Sequence, residues 1–310
     1  MKLNGIHHIT GITGDAPGNL DFYARVLGLR LVKKTVNQDD PTVYHLFYAD
    51  EVGSAGSDLT FFEYPGAGRG RPGEGMVHRI LFRIASKDAL KFWHERLAAE
   101  GVSVKLALGR LRFADPEGLG FELRVAQVPD EPLVAEHPEI PGELAIQGFD
   151  GVRAFAADPE ASRAFLEGAL AFEAREEGWE ARGSARGSTY AYDPAPSNPG
   201  LGGAGTVHHV AWASQMEEQA EWRRRVVEAG GRPTEIIDRY YFRSVYFREP
   251  SGVLFEIATI GPGFAADEDQ AHLGESLSLP PAFEHLRGQL EGILTPLPDP
   301  RRNLVKGLVR

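Results

Sequence analysis

Hydrophobic and polar positions repeat in the same order four times along this chain of 310 residues. Each repeat opens on a strand-like run such as GIHHIT (5–10) or TVHHVAW (206–212). A helical pattern follows, which begins at Asp15 and Asp158 in two repeats and ends at glycine in the other two. Further strand-like runs complete each repeat. The pattern therefore predicts an α+β fold of four units, each with a strand, a helix and more strands.

The two halves of the chain resemble each other in sequence. Residues 5–29 align with residues 148–172, and residues 76–101 align with residues 206–231. In both halves the second segment leads to a turn of the type Asp/Glu-Pro-Xaa-Gly, in which proline presets φ and glycine accepts a positive φ. The four units are thus predicted to form two similar domains.

Changes in composition set the predicted boundaries of these domains. The first domain covers residues 1–125 and the second covers residues 148–260. The segment between them, 126–147, is rich in proline and acidic residues, as is typical of a linker. We expect residues 261–310 to form a tail that packs on the outside, with one helix over 281–294.

Charge and cysteine content exclude several classes of function. The formal net charge of −11 argues against binding to nucleic acid or to an anionic membrane, which needs clustered lysine and arginine. The chain has no cysteine, which excludes disulfides, thiolate metal sites and a catalytic thiol. It shows no segment of the signal-peptide kind and no apolar run long enough to span a bilayer. These features predict a cytoplasmic protein.

Four of the ten histidines stand in two adjacent pairs, His7-His8 and His208-His209. The aligned positions in the other two repeats hold one histidine in one case and none in the other, so a folding requirement does not explain the pairs. Neighbouring residues of a strand face opposite sides, and the two members of each pair therefore look in different directions. The pairs indicate a functional requirement in the first and fourth units.

Strand alternation sorts the candidate side chains into faces. His8 shares a face with Thr10, while Glu256 lies inside the apolar run VLFEIAT, where a carboxylate is costly unless it is paired, protonated or bound to a metal. Two neutral imidazoles and one carboxylate form the facial triad that leaves positions open on iron(II). A purely structural interpretation stays open. A histidine in an apolar strand is commonly a hydrogen-bonded core residue, and Glu256 can pair with an arginine, as we expect Glu122 to do with Arg79.

Four longer stretches carry a resemblance to a known family. They are GIHHITGITGDAPGNLDFYARVLGLRLVKKTVNQDDPTVYHLFYAD (5–50), LTFFEYPGAGRGRPGEG (59–75), VHHVAW (207–212) and DRYYFRSVYFREPSGVLFEIAT (238–259). On these motifs the chain resembles the vicinal oxygen chelate superfamily and, within it, the dioxygenases that cleave the ring of hydroquinones. The resemblance implies βαβββ units that pair into cupped mixed β-sheets around a divalent metal.

The same resemblance implies the ligands of that metal, which are His8, His209 and Glu256. It implies iron(II), with manganese(II) or another divalent ion as an alternative, and a small aromatic substrate together with O2. Because His8 and His209 belong to different halves of the chain, the site would join the two halves. A homo-oligomer stays open.

Five further residues match positions that line the site in this family, namely His7, Thr10, His208, Arg239 and Tyr246. His208 is the candidate acid/base for the phenol proton. Tyr246 and Arg239 are candidates to hydrogen-bond the substrate oxygen or dioxygen, and Thr10 is a candidate to orient a ligand or water. The alternative for Arg239 is a surface ion pair with an acidic residue, and the alternative for Tyr246 is the packing of an edge strand.

The leading hypothesis is an iron(II)-dependent, extradiol-type dioxygenase that inserts O2 next to a ring hydroxyl of a hydroquinone. Two other classes stay open. One is a glyoxalase-type isomerase or thiol transferase that uses another divalent metal. The other is a non-catalytic protein that binds a small molecule on the same fold and has no metal triad.

Overall fold

A computed structural model describes residues 1–298, 300, 301 and 304 of the chain. In this part the strands fall into four units, each with a first strand, a helical segment and three more strands. The strands are β1 (Ile6–Thr13), β2 (Arg30–Asn37), β3 (Asp40–Ala49), β4 (Asp58–Glu63), β5 (Val77–Ile84), β6 (Lys105–Ala107), β7 (Arg110–Ala114), β8 (Gly120–Val125), β9 (Phe149–Ala156), β10 (Glu173–Arg175), β11 (Gly178–Arg182), β12 (Gly187–Pro194), β13 (Thr206–Ser214), β14 (Ile237–Asp238), β15 (Arg243–Arg248) and β16 (Leu254–Thr259).

The helical segments begin and end largely where the sequence predicts. The α-helices are α1 (Ala16–Leu20), α2 (Lys87–Ala99), α3 (Gln219–Glu228) and α4 (Arg287–Ile293), and shorter 3-10 or π-helical segments cover Asp21–Val26, Pro159–Ser162, Phe165–Ala169, Met216–Glu218, Phe264–Ala266, Gln270–His272 and Glu284–Leu286. The side chain of Asp15 accepts a hydrogen bond from the backbone N–H of Gly18, and Asp158 accepts one from Glu160. Within the described ranges no helix has the length and hydropathy needed to cross a lipid bilayer.

Two mixed sheets of eight strands each contain all of these strands. We call the sheet built from the first and fourth units the outer sheet, because these units come first and last in the sequence. Its strand order is β14-β15-β16-β13-β1-β4-β3-β2. The inner sheet has the order β10-β11-β12-β9-β5-β8-β7-β6, so all its strands lie within residues 77–194. This architecture confirms the predicted α+β fold of paired βαβββ units.

Strand pairing joins the two halves of the chain in both sheets. β1 runs antiparallel to β13 at the centre of the outer sheet, and β5 runs antiparallel to β9 at the centre of the inner sheet. The first unit therefore shares a sheet with the fourth, and the second unit shares a sheet with the third. The division into domains 1–125 and 148–260 stays a prediction, since each of these segments contributes strands to both sheets.

One hydrophobic core connects the two sheets. The ring of Tyr23 lies 4.7 Å from Phe61 of the outer sheet and 6.0 Å from Phe121 of the inner sheet. In the other half, Tyr190 of the inner sheet lies 5.1 Å from Phe255 of the outer sheet. All of these side chains are buried. Burial of such large rings fixes the position of one sheet on the other.

The predicted linker and tail are both attached to the sheets. Asp130 of the linker is 2% exposed and accepts hydrogen bonds from Arg83 at 2.6 Å and Arg182 at 2.7 Å. In the tail, Asp267 accepts a hydrogen bond of 2.7 Å from the buried Lys33 of β2. The tail helix predicted over 281–294 is shorter, with a 3-10 turn before α4. Residues 299, 302, 303 and 305–310 of the predicted tail lie outside the described residues.

Candidate metal centre and the pocket around it

Three adjacent strands of the outer sheet bring the candidate ligands together. His8 lies on β1, His209 on β13 and Glu256 on β16. In the strand register His8 and Glu256 flank the small residue Ala211, one from each neighbouring strand. Because residues paired across strands share a face of the sheet, and His209 is two positions from Ala211, all three side chains project from the same face.

The donor atoms of these three side chains converge. Oε2 of Glu256 lies 3.2 Å from Nε2 of His8 and 2.9 Å from Nε2 of His209, and the two Nε2 atoms are 3.3 Å apart. Two ligand atoms at about 2.1 Å from one ion, at right angles to each other, are about 3.0 Å apart. The observed separations therefore fit three neighbouring corners of an octahedron around a divalent ion.

The carboxylate of Glu256 lacks the hydrogen-bond donors that a buried carboxylate usually has. Its side chain is fully buried, and among the described residues no group donates a hydrogen bond of acceptable geometry to either of its oxygens. Burial alone would raise the pKa of Glu256, but the imidazoles of His8 and His209 hold it well below its usual range. An ionised, buried carboxylate without hydrogen bonds is costly, and a metal ion is one partner that compensates it. The cluster thus fits a divalent cation.

A second group of possible donors, His7, His8 and Asp58, shares one histidine with this cluster. Burial raises the pKa of Asp58 well above its usual range, which makes the carboxyl a poor ligand in its neutral form. The pocket described below is lined by His8 and His209 but not by His7 or Asp58. The group with Glu256 is therefore the better candidate.

Each candidate ligand histidine is hydrogen-bonded to the histidine before it in the sequence. Nδ1 of His8 lies 2.9 Å from Nδ1 of His7, and Nδ1 of His209 lies 2.8 Å from Nδ1 of His208. An imidazole that ligates through Nε2 carries its proton on Nδ1, so each ligand would donate to its neighbour. Burial lowers the pKa of His7 to about 3. Partial desolvation at the pocket wall, together with the neighbouring His209, lowers the pKa of His208 to about 4, so both rings are neutral acceptors near neutral pH.

The two partner histidines differ in where they face. His7 is buried behind the cluster, whereas His208 is exposed and lines the pocket. The predicted alternation within each pair does not hold, because His7 and His208 each lie at a β-bulge of the β1–β13 pairing. His208 and His209 line the same pocket, and the rings of each pair are joined through their Nδ1 atoms. One member of each pair still converges on the cluster, and the other lies beside it.

A cavity of about 450 Å³ opens in front of the cluster. Its walls combine aromatic rings with a few polar groups, and they include His8, His45, Phe47, Phe62, His208, His209, Arg239, Phe242 and Tyr246. The ring of Phe242 lies 5.0 Å from that of His8. The cavity is large enough for a single aromatic ring with substituents and offers it apolar surfaces.

Arg239 is both a residue of the pocket wall and a partner in an ion pair with an acidic residue, the two roles that the sequence leaves open for it. Its guanidinium lines the pocket and also makes a bidentate ion pair with Asp39, at 2.9 and 2.8 Å. The side chain of Gln38 donates a hydrogen bond of 2.7 Å to the carbonyl of Arg239. The turn between β2 and β3 therefore holds both the backbone and the side chain of Arg239, so that this arginine faces the pocket in a fixed direction.

Tyr246 lies on β15, directly beside Glu256 in the strand register. Its ring is 5.6 Å from that of His209, and the Arg239 guanidinium lies 5.5 Å from its ring centre. Burial raises the pKa of Tyr246, so its hydroxyl keeps its proton near neutral pH. The side chain is thus available as a hydrogen-bond donor beside the cluster.

Thr10 contacts the cluster, and a residue that sequence reasoning missed stands beyond it. Oγ1 of Thr10 lies 3.0 Å from Nε2 of His209 and 2.8 Å from Oγ1 of Thr60, which in turn lies 2.9 Å from Nε2 of His45. The same alternation that sorted β1 would have placed His45 and Phe47 together on one face of β3. Asp39 could not be found this way, because it lies in a turn.

A sequence model of the Glyoxalase/Bleomycin resistance protein/Dioxygenase superfamily matches residues 5–123 and 148–257. The chain belongs to this superfamily. MhqA of Bacillus subtilis is described as a ring-cleaving dioxygenase. It is 39% identical to this chain in an alignment 319 residues long, which covers 96% of this chain and all of MhqA. The chlorohydroquinone/hydroquinone 1,2-dioxygenase of Sphingobium indicum is 32% identical over 309 residues, which cover 93% of this chain and 95% of that enzyme.

Solved structures of superfamily members agree with the fold. A crystal structure of a Bacillus subtilis protein described as a dioxygenase has a TM-score of 0.89 and 39% identity, with 96% of this chain and 98% of that one covered. Glyoxalase I from Zea mays has a TM-score of 0.60 at 17% identity, over 87% of this chain and 96% of its own, and is alike in fold alone. The predicted superfamily is confirmed, whereas the roles of the individual site residues stay predictions.

Proposed function

We propose that this protein is an iron(II)-dependent ring-cleaving dioxygenase that acts on hydroquinones and inserts O2 next to a ring hydroxyl. His8, His209 and Glu256 would be the metal ligands. The observation that carries the proposal is the convergence of two imidazole nitrogens and one buried carboxylate at 2.9–3.3 Å, at the end of a pocket with aromatic walls. Similarity to a hydroquinone 1,2-dioxygenase supports the choice of substrate.

The metal and the protein would have separate tasks. When bound, iron(II) supplies the electron transfer that allows an aromatic ring to react with dioxygen. A ligand set of two histidines and one carboxylate leaves positions open for the substrate and for dioxygen. The side chains bind the ring and direct its oxygen atoms. Phe47, Phe62 and Phe242 in the pocket wall exclude water from the ring faces, which strengthens every polar contact made in the pocket.

His208 would act on the substrate oxygen. Because its Nδ1 accepts the hydrogen bond from His209, the neutral ring of His208 carries its proton on Nε2. His208 is therefore assigned the acid half of the acid/base role, in which it directs an N–H toward an oxygen of the substrate or of dioxygen. Its position in the pocket wall supports this assignment.

Arg239 and Tyr246 would stabilise negative charge on oxygen. The ion pair with Asp39 keeps the guanidinium of Arg239 at the pocket wall, and the raised pKa of Tyr246 keeps its hydroxyl a donor. Donors that are fixed before the reaction need no reorganisation when charge develops. Thr10 and His7 would orient the ligands, Thr10 from beside His209 and His7 through Nδ1 of His8.

Oxygen uptake by protein loaded anaerobically with iron(II) tests this proposal. Methylhydroquinone and chlorohydroquinone would be compared with catechol. The variant His8→Ala should lose uptake together with bound iron, and His94→Ala, which removes an exposed histidine of α2, is the matched control that should keep both. Uptake with catechol alone would refute the proposed substrate, and no uptake with any of the three would refute the dioxygenase.

The role of His208 has its own test. His208→Ala should lower the turnover of hydroquinone while the stoichiometry of bound iron stays unchanged, because His208 contacts the ligand His209 but does not belong to the cluster. We expect a loss of about 10²-fold or more, as is typical when a group that transfers or donates a proton is removed. Loss of iron from His208→Ala would show that the other member of the pair is the ligand.

A further inference from the structure

A row of polar side chains crosses the outer sheet from the pocket wall to the candidate metal centre. The neighbouring strands β3, β4, β1 and β13 contribute one residue each, which are His45, Thr60, Thr10 and His209. In the strand register Thr60 pairs with Thr10, and Thr10 pairs with His209. Both threonines have no exposed surface, so the row is closed to water between its two ends.

The hydrogen bonds along this row share one direction. Thr60 stands between two partners, 2.8 Å from the Thr10 oxygen and 2.9 Å from Nε2 of His45. A hydroxyl has a single proton, so when Thr60 donates to one partner it accepts from the other. If Nε2 of His45 carries the proton, the hydroxyl of Thr10 is left to donate at the metal centre. If Nε2 is bare, Thr10 donates toward His45 and offers its lone pair at the centre.

The tautomer of His45 determines which of these two states is present, because its Nε2 is the atom that contacts Thr60. The ring of His45 lies in the pocket wall and is packed on Phe47 and Phe62, at ring distances of 3.9 and 4.4 Å. Burial lowers its pKa well below the usual range, so the ring is neutral and has one proton to share between Nδ1 and Nε2. Within the described part of the chain no group is hydrogen-bonded to Nδ1, which leaves this atom for a molecule in the pocket.

We propose that His45 is a positioning residue that sets, through Thr60, whether the hydroxyl of Thr10 donates or accepts at the candidate metal centre. The inference rests on the proposed function, since the hydroxyl of Thr10 matters only if a substrate or dioxygen binds beside it. A phenolic hydroxyl in the pocket that donates to Nδ1 stabilises the tautomer with the proton on Nε2. Thr60 then accepts from His45 and donates to Thr10, and Thr10 becomes a donor at the centre.

The chain of contacts predicts which class of substrate uses this coupling. A hydroquinone has two hydroxyl groups on opposite sides of the ring, so one can bind at the metal centre while the other reaches a different part of the pocket. A monophenol such as 4-methylphenol has only the first. The coupling through His45 therefore favours para-diols over monophenols.

Nitrogen NMR of the histidine rings tests the coupling without turnover. Protein loaded with redox-inert zinc would be titrated anaerobically with hydroquinone and with 4-methylphenol, and the His45 signals would be identified by their absence from His45→Gln. The proton of His45 should move to Nε2 with hydroquinone and should not move with 4-methylphenol. Shifts of His45 that do not respond to hydroquinone would overturn the proposal.

Kinetics of the iron-loaded protein test the consequence. Thr60→Val removes the hydroxyl that joins His45 to Thr10 while it keeps the side-chain volume nearly constant. We expect kcat for hydroquinone to fall about five- to tenfold with little change in KM, because a rate loss of this size corresponds to the free energy of one hydrogen bond. Thr60→Ser should restore kcat, and Thr42→Val, an exposed site on β3, is the matched control. His45→Phe keeps the aromatic packing and should reproduce the loss if Thr60→Val fails to fold. An unchanged kcat in either well-folded variant would overturn the proposal.

Failure of this proposal and failure of the proposed function give different results. A wild-type protein that consumes no oxygen contradicts the dioxygenase, whereas the nitrogen shifts of zinc-loaded protein decide the role of His45 in either case.

Discussion

The outer and inner sheets share one plan, yet only the outer sheet holds the candidate metal centre. Ala211 pairs with Glu256 on the neighbouring parallel strand of the outer sheet, and Leu81 pairs with Glu122 in the same way in the inner sheet. Both glutamates have no exposed surface. A fully buried carboxylate at this position is therefore common to both sheets.

The side chains around the two carboxylates are different. By strand register, His8, His209, Thr10 and Tyr246 of the outer sheet correspond to Gly151, Arg79, Arg153 and Arg112 of the inner sheet. Glu122 accepts a hydrogen bond of 2.6 Å from Nε of Arg112, and Nη1 of Arg79 lies 3.8 Å away. The expected pairing of Glu122 with an arginine is thus present.

The comparison shows that the buried glutamate is paired with arginines in the inner sheet and with histidines in the outer sheet. In the inner sheet guanidinium groups provide the positive charge. In the outer sheet the same positions hold histidine, threonine and tyrosine, and under the proposed function a divalent metal would provide the charge. The predictions that follow test this division between the two sheets, in order of decreasing effect.

Removal of Glu256 should have the largest effect. We expect Glu256→Ala to weaken metal binding by more than about 100-fold and to abolish oxygen uptake, because it deletes one of three donors and the only carboxylate among them. Metal content after dialysis would be measured by elemental analysis. Glu122→Ala is the matched variant in the inner sheet and should keep its metal. Full metal content in Glu256→Ala would place the metal elsewhere, with His7, His8 and Asp58 as the next group to test.

Removal of Glu122 should instead act on stability. Glu122→Ala leaves several arginines without their buried partner, and we expect the free energy of unfolding to fall by about 3–5 kcal/mol. Urea unfolding in the presence of a chelator measures this, with metal-free Glu256→Ala for comparison. Equal losses in the two variants would contradict the difference between the sheets.

The stabilisation by Glu122 should depend on pH in a defined direction. Burial alone would raise the pKa of Glu122, but Arg124 and Arg112 hold it below its ordinary value. Because the folded pKa lies below the unfolded value of about 4.3, the stabilisation is complete above that pH and is lost as the pH falls below it. The difference in unfolding midpoint between the wild type and Glu122→Gln should therefore shrink between about pH 6 and pH 3.

A side chain at Gly151 should have a smaller cost. A Cβ at this position would lie 2.1 Å from Oγ1 and 2.3 Å from the carbonyl oxygen of Thr189, so the inner sheet has no room for a counterpart of His8. We expect Gly151→Ala to lower the free energy of unfolding by about 1–3 kcal/mol. Gly142→Ala, where a Cβ meets no atom within 4 Å, is the control. A fully stable Gly151→Ala would mean that the strands can separate to accept a histidine.

The smallest effect should come from Asp39. Its carboxylate is 72% exposed, so Asp39→Asn should leave stability nearly unchanged, as for most surface ion pairs. It frees the guanidinium of Arg239, and we expect KM for hydroquinone to rise about threefold. Asp40→Asn, at the first residue of β3, is the matched control, because the carboxylate of Asp40 accepts hydrogen bonds from Thr42 instead. A KM that stays constant in Asp39→Asn would show that Arg239 needs no partner to face the pocket.

Local patterns were sufficient for the four units, whereas the choice of the candidate ligands also needed the resemblance to the superfamily. Alternation groups His8 with Thr10, and a carboxylate within VLFEIAT stands out because burial of a charge is expensive. The β-bulges at His7 and His208 could not be predicted from alternation. The sharing of sheets could not be predicted in this way. All four first strands have similar patterns, so the choice of β13 as the partner of β1 depends on contacts about two hundred residues apart in sequence. His45 was missed because its role depends on neighbours in two other strands.

The pairing of β1 with β13 also sets the order in which the molecule can be completed as it leaves the ribosome. Every strand of the inner sheet lies between residues 77 and 194, so this sheet has all its parts while the fourth unit is still being translated. Its buried glutamate is paired with arginines of the same sheet, which are already present at that stage. β1 must wait with an unpaired edge until β13 appears, and the three donors coexist only after residue 256 has been added. Under the proposed function, the metal site would thus be the last part of the nascent chain to be completed.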